Sequence, residues 1–64
     1  MQNIVGTKKM QEGVLVMWNE GSGVRSDTFS YQELIDMKVN TLDLLDRPAA
    51  YQVDPSAHAV VPKR

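Results

Sequence analysis

Apolar residues crowd most densely at Val14, Leu15, Val16, Met17 and Trp18, an uninterrupted run rich in β-branched and aromatic types. A run this short reads as a strand and not as a buried helix. Side chains alternate across a strand, so Val14, Val16 and Trp18 share one face and Leu15 and Met17 the other. Both faces are apolar and both need cover: either the sheet curls on itself as a small barrel, or one face meets a partner. Asn19-Glu20-Gly21-Ser22-Gly23 follows, and its glycines can supply the positive φ of a tight hairpin loop. Val24–Phe29 is the return strand. Arg25 and Asp27 share the face of Phe29, a half-polar pattern that suits a sheet edge. Ser30-Tyr31-Gln32-Glu33 has the spacing of a capping box, with the Ser hydroxyl on the Glu33 amide and the Glu carboxylate reaching back. Tyr31, Leu34 and Ile35 then fall on one helical face that can close over the sheet. The helix is expected over 31–39, with Asn40 in the left-handed conformation that ends it.

The pattern is weaker on both flanks. Ile4-Val5 before Gly6 suggests a short first strand. Lys8-Lys9-Met10-Gln11-Glu12 fits a solvated turn, or a continuation of β structure with Met10 inward. Thr41–Asp46 reads as one more helical turn or a short second helix, with Thr41 as N-cap, Asp43 near the positive end of the dipole, and Leu42, Leu44 and Leu45 completing the core. Arg47 precedes Pro48, which biases it away from helix. All three prolines lie from Pro48 onward, where Tyr51 and Val53 alternate, as do Ala57, Ala59 and Val61. The expected division is a small α+β domain over 1–47 and an extended, Pro/Ala-rich C-terminal arm over 48–64. Tyr51, Val53, Val60 and Val61 are interspersed so that the arm can lie in a groove of another chain or add a strand to its sheet edge. The alternative is that the arm packs back and supplies the missing strands of a barrel.

Composition narrows the function. At 64 residues the chain is at most one domain, and a domain of that size buries only about 60% of its unfolded surface. Domains this small usually add disulfides, metals or oligomerisation. The chain has no cysteine and one histidine, so neither a disulfide nor a closed metal site is expected, which leaves a protein partner or a homo-oligomer. Net charge is −1 and the pI is about 5.6, without the basic stripe of a nucleic-acid binder. The acidic residues are equally scattered, which argues against a DNA mimic. No basic segment followed by an apolar run marks a signal peptide and no stretch reads as a membrane span, so a cytoplasmic setting, or a particle assembled in the cytoplasm, is expected.

Chemistry-bearing residues are few. His58 lies in the Pro/Ala segment between two alanines, without an orienting partner in its vicinity along the chain. None of the serines has a nucleophile-elbow context. Asp43 with Asp46, and Glu33 with Asp36, read as solvated helix faces. Gly21-Ser22-Gly23 lacks the following Lys of a phosphate loop and is a turn. No catalytic residue, cofactor or small-molecule substrate is expected. Trp18 reads first as a core residue and second as a binding anchor. Leu15 and Met17, on the opposite face, are the better candidates for a partner-facing surface.

The order Val14–Trp18, Asn-Glu-Gly, second strand, then Phe29-Ser30-Tyr31-Gln32-Glu33-Leu34 resembles the middle of an SH3-like small barrel of the Tudor or KOW kind, over residues 13–35. The aromatic cage of Tudor domains is not evident, and a fourth and fifth strand would have to come from the C-terminal segment. The resemblance implies a binding module. The expected fold is therefore α+β: hairpin 14–18/24–29, helix 31–39 and a C-terminal arm. The expected function is a non-enzymatic accessory or structural subunit of a larger assembly, in the style of small phage or plasmid proteins. Its partner-binding residues would be Leu15, Met17, Trp18, Tyr51, Val53, Val60 and Val61. The rivals are a nucleic-acid-binding small barrel using Lys8, Lys9, Arg25 and Lys38, and an inhibitor of a larger enzyme.

Overall fold

Five strands, β1 (Gln2–Lys9), β2 (Gly13–Glu20), β3 (Gly23–Ser30), β4 (Tyr51–Asp54) and β5 (Ala59–Pro62), account for most of the backbone pairing in the computed structural model, which describes residues 1–63. They form one antiparallel sheet in the order β3-β2-β1-β4-β5, curled into a half-barrel. Two short helices, α1 (Tyr31–Asp36) and α2 (Thr41–Asp46), and a 3-10 turn at Pro48–Ala50 join β3 to β4. The fold is a small α+β fold of mostly antiparallel sheet.

The β2–β3 hairpin is longer than the apolar run alone indicates, in register from Gly13↔Ser30 to Glu20↔Gly23. Gly21 carries φ 62°, and the loop between the paired ends is Gly21-Ser22, the composition of a two-residue hairpin turn with Gly in its first position. β3 is an edge strand, in line with its half-polar sequence. β1 runs antiparallel to β2 with a bulge between Ile4 and Gly6. It continues through Lys9, so Lys8 and Lys9 are strand residues, and Met10 is exposed in the following turn.

Val14, Val16, Trp18 and Phe29 point to the concave side and form the core with Ile4, Leu34, Val39, Leu44, Tyr51, Val53 and Val60. Fully burying an apolar side chain of this size contributes about 1.5–3 kcal/mol. Trp18 is 4% exposed, and its Nε1–H donates to Glu20 Oε2 at 3.2 Å. Tyr51 is buried with its hydroxyl donating to Asp43 Oδ2 at 2.7 Å.

The capping box at α1 is complete: Ser30 Oγ accepts from the Glu33 amide, and Glu33 Oε1 accepts from the Ser30 amide at 2.8 Å. Such a cap contributes about 0.5–2 kcal/mol. The helix is shorter than the expected 31–39. It ends in a Schellman motif in which Lys38, at φ 60°, takes the left-handed position, while Val39 N–H donates to Leu34 O and Lys38 N–H to Ile35 O. Val39 is thereby turned into the core. Asn40 is not the left-handed residue: at φ −75° it caps α2, its Oδ1 accepting from Asp43 N, a role expected of Thr41. On α1 Leu34 is buried, while Ile35, about 100° further round the helix, stays exposed. Leu44 of α2 is buried and Leu45 packs against the core, whereas Leu42 faces outward.

The largest correction concerns the expected arm 48–64, of which Arg64 lies outside the described residues. Residues 48–63 do not run out as an arm toward another chain. β4 pairs with β1 through Gln2↔Val53 and Asn3↔Gln52, and β5 returns along β4 from Asp54↔Ala59 to Tyr51↔Pro62. Tyr51, Val53 and Val60 alternate inward and complete the core. The physical reason is the free edge of β1, which would otherwise expose a row of unpaired backbone groups. These are the fourth and fifth strands that a small barrel requires.

Candidate interaction surface

The register of β1, β2 and β3 determines which side chains meet on the convex side of the sheet. Lys8, Leu15 and Thr28 form one row, Gly6, Met17 and Ser26 the next, and Asn19 and Val24 lie beyond. Val5 stands at the β1 bulge beside the Gly6–Met17 row. Leu15 and Met17 are half-buried, and Met17 Cε lies 3.2 Å from where a Cβ on Gly6 would sit, so the absence of a side chain at Gly6 makes room for the thioether. Val5 is 53% and Val24 63% exposed. The result is an apolar strip across β1–β3, bordered by Lys8, Thr28 and Ser26. Across β1 and β4 the same side carries a polar pair: Gln52 Nε2 donates to Asn3 Oδ1 at 3.0 Å.

Of the expected partner-binding residues, Leu15 and Met17 lie together on this strip. Val61 is half-buried on the far side of the Asn3–Gln52 pair and is not continuous with them. Trp18, Tyr51, Val53 and Val60 are core residues and are not accessible to a partner in the folded chain. Val5 and Val24 were missed by sequence reasoning. Val24 was legible in retrospect from β3's alternation, and for Val5 the local signal was Gly6, since an isolated glycine inside a strand marks a bulge.

The edge of β3 beside this strip has no strand partner among the described residues. One of its amides, that of Thr28, is satisfied by Asp27 Oδ1 at 2.9 Å. Lys8 and Arg25 do not converge. Lys8 is on the convex side and three register rows from Arg25, which is on the concave side next to Trp18 and pairs with Glu20 at 3.8 Å.

A second cluster joins residues far apart in sequence. His58 Nδ1 lies 3.0 Å from Asp27 Oδ2 and its Nε2 lies 3.1 Å from Glu33 Oε2. The ring stacks on Phe29 with centroids 4.2 Å apart and planes 16° from parallel. Burial pulls the imidazole pKa down, but the bonds to Glu33 and Asp27 outweigh it, and the net shift is upward. The Ser30 amide holds the Glu33 carboxyl below its usual value; desolvation opposes this and His58 reinforces it. Arg47, just past the end of α2, grips Asp43 through Nε and Nη2, and with Tyr51 lowers its pKa. The acidic pairs read as solvated faces are thus partly engaged: Glu33 and Asp43 each hold specific partners. Among the described residues there is no pocket and no group of side chains arranged to hold a metal ion, and no helix is long and apolar enough to cross a membrane.

No protein-family model, no curated protein and no solved structure matches the chain.

Proposed function

We propose that this chain is a non-enzymatic protein-binding subunit, an accessory or structural part of a larger assembly, and that it docks through the convex side of β1–β3. The observation that carries this reading is the strip of Val5, Leu15, Met17 and Val24 on the solvent side of a sheet whose other side is already packed by its own chain. Contiguous apolar patches of more than a few hundred Å² on small domains mark interaction sites, whereas apolar residues exposed singly, such as Leu42, do not. The half-barrel supports the finer reading of an SH3-like binding module, in which a sheet face or edge takes a peptide or protein surface. The scattered cations favour a protein partner over a nucleic acid, whose binding would draw on a continuous basic footprint.

The native particle mass tests this, with wild type compared against Val5→Lys/Val24→Lys. Both positions are exposed, so the fold is expected to survive. The reading expects a particle heavier than the 7.2 kDa monomer, reduced to monomer by the double variant. A monomer at every concentration, together with a photo-cross-linker at position 24 that captures no more protein in cells than one at position 46, overturns it.

A further inference from the structure

The sheet is open between its two outer strands, β3 and β5, and side chains bridge that opening. Met37, at the end of α1, accepts the Val60 N–H of β5 on its sulfur at 3.3 Å. His58, in the turn that leads into β5, reaches both β3 and α1. It does so at φ 48°, a left-handed conformation that a non-glycine residue holds only where its surroundings over-determine it. Those surroundings are Asp27, Glu33 and the Phe29 ring.

Both ring nitrogens face carboxylate oxygens at hydrogen-bonding distance. A neutral imidazole has one N–H and one lone pair, so it can donate to only one of the two carboxylates, and its lone pair then opposes the other. The imidazolium donates to both. We infer that His58 is a proton-controlled latch, which as imidazolium ties the β4–β5 turn to β3 and α1 and on losing its proton releases one of these two ties.

The groups around it are consistent with that role. Asp27 faces it from β3 and Glu33 from α1. Asp54, on its own hairpin, is engaged by the Ser56 amide and hydroxyl and by the Ala57 amide. The nearest cation on β3, Arg25, pairs with Glu20. The His58 pKa is raised in the folded chain, so the latch contributes fully below the ordinary histidine value of about 6.5 and is lost as pH rises through the raised one. Glu33 is lowered, so it remains an acceptor until pH falls through that lower value. Closure is therefore strongest in mild acid, the reverse of a domain stabilised by its carboxylates alone. The device does not depend on which partner the convex side takes.

The test is the NMR titration of the His58 ring, read with melting curves at about pH 5.5 and about pH 8.5. The midpoint is expected above the ordinary histidine value. It should fall in Asp27→Asn and in Glu33→Gln, the latter keeping a carbonyl oxygen for the Ser30 amide. The wild type should melt a few degrees higher at the acid condition, and His58→Asn, which tolerates the left-handed backbone, should lose that difference. If His58→Asn does not fold, the midpoints of the two carboxylate variants decide the matter. A wild-type midpoint at or below the ordinary value, midpoints unmoved in both carboxylate variants, or an unchanged pH dependence in His58→Asn overturns the inference.

Discussion

The two hairpins of this half-barrel are built on different principles. β2–β3 is paired from Gly13↔Ser30 to Glu20↔Gly23 and turns on a glycine at φ 62°. β4–β5 is paired only from Tyr51↔Pro62 to Asp54↔Ala59 and places a histidine at φ 48° in its turn. The first has a long backbone ladder and a residue whose lack of a side chain makes the turn undemanding. The second is too short to stand alone. It is held by contacts outside itself: β1 along one edge, Tyr51, Val53 and Val60 in the core, and His58 across to β3 and α1. The lesson is that a strained turn residue is tolerated where tertiary partners fix it, and that local reading shows such a hairpin only as short alternating runs whose pairing it leaves open.

Deleting residues 48–64 attacks the difference most severely. The deletion removes Tyr51, Val53 and Val60 from the core and strips β1 of its second partner. At about 1.5–3 kcal/mol for each buried side chain, the loss is comparable with the whole stability of a small domain. The truncated chain is expected to show no cooperative melting transition by circular dichroism; a retained transition would return residues 48–64 to the status of an independent arm.

A smaller effect tests the tight seam of the long hairpin. A Cβ on buried Gly13 would run into the Phe29 carbonyl oxygen and lie 2.7 Å from Phe29 C and 2.8 Å from Ser30 Cα. Gly13→Ala is expected to cost about 1–3 kcal/mol by urea denaturation, because the obstruction is backbone and cannot rotate away. The smallest contrast lies within the first turn. Gly21→Ala is expected to cost about 1 kcal/mol, for its positive φ, while Gly23→Ala, with open space and no such φ, should be close to neutral. Equal costs at the two positions would contradict the turn geometry.

Local signals were legible in the sequence: the apolar run at Val14–Trp18, the glycine turn and the Ser30–Glu33 box all carry their cause within a few residues. The helix end was misread because Lys38, not Asn40, took the left-handed position, and nothing intrinsic to lysine announces that. The return of β4 and β5 was obscured by flanking prolines and by how few large apolar residues the segment contains. What makes those few sufficient is the free edge of β1 and the Asp43 partner of the Tyr51 hydroxyl. The His58 cluster was hidden by distance, since Asp27 lies 31 residues away. Of the candidate surface, Leu15 and Met17 were readable from alternation on β2, while for Tyr51, Val53 and Val60 the alternation was readable but the pairing with β1 that puts them in the core was not.

Native-state hydrogen exchange, followed residue by residue, tests most directly whether the C-terminal hairpin belongs to the fold. The amides of β4, flanked by β1 and β5, are expected to exchange only through global unfolding, with the same free energy as those of β1 and β2. Exchange of the β4 amides at rates near those of an unstructured chain, while β1–β3 stay protected, would contradict a half-barrel completed by its own C-terminal hairpin.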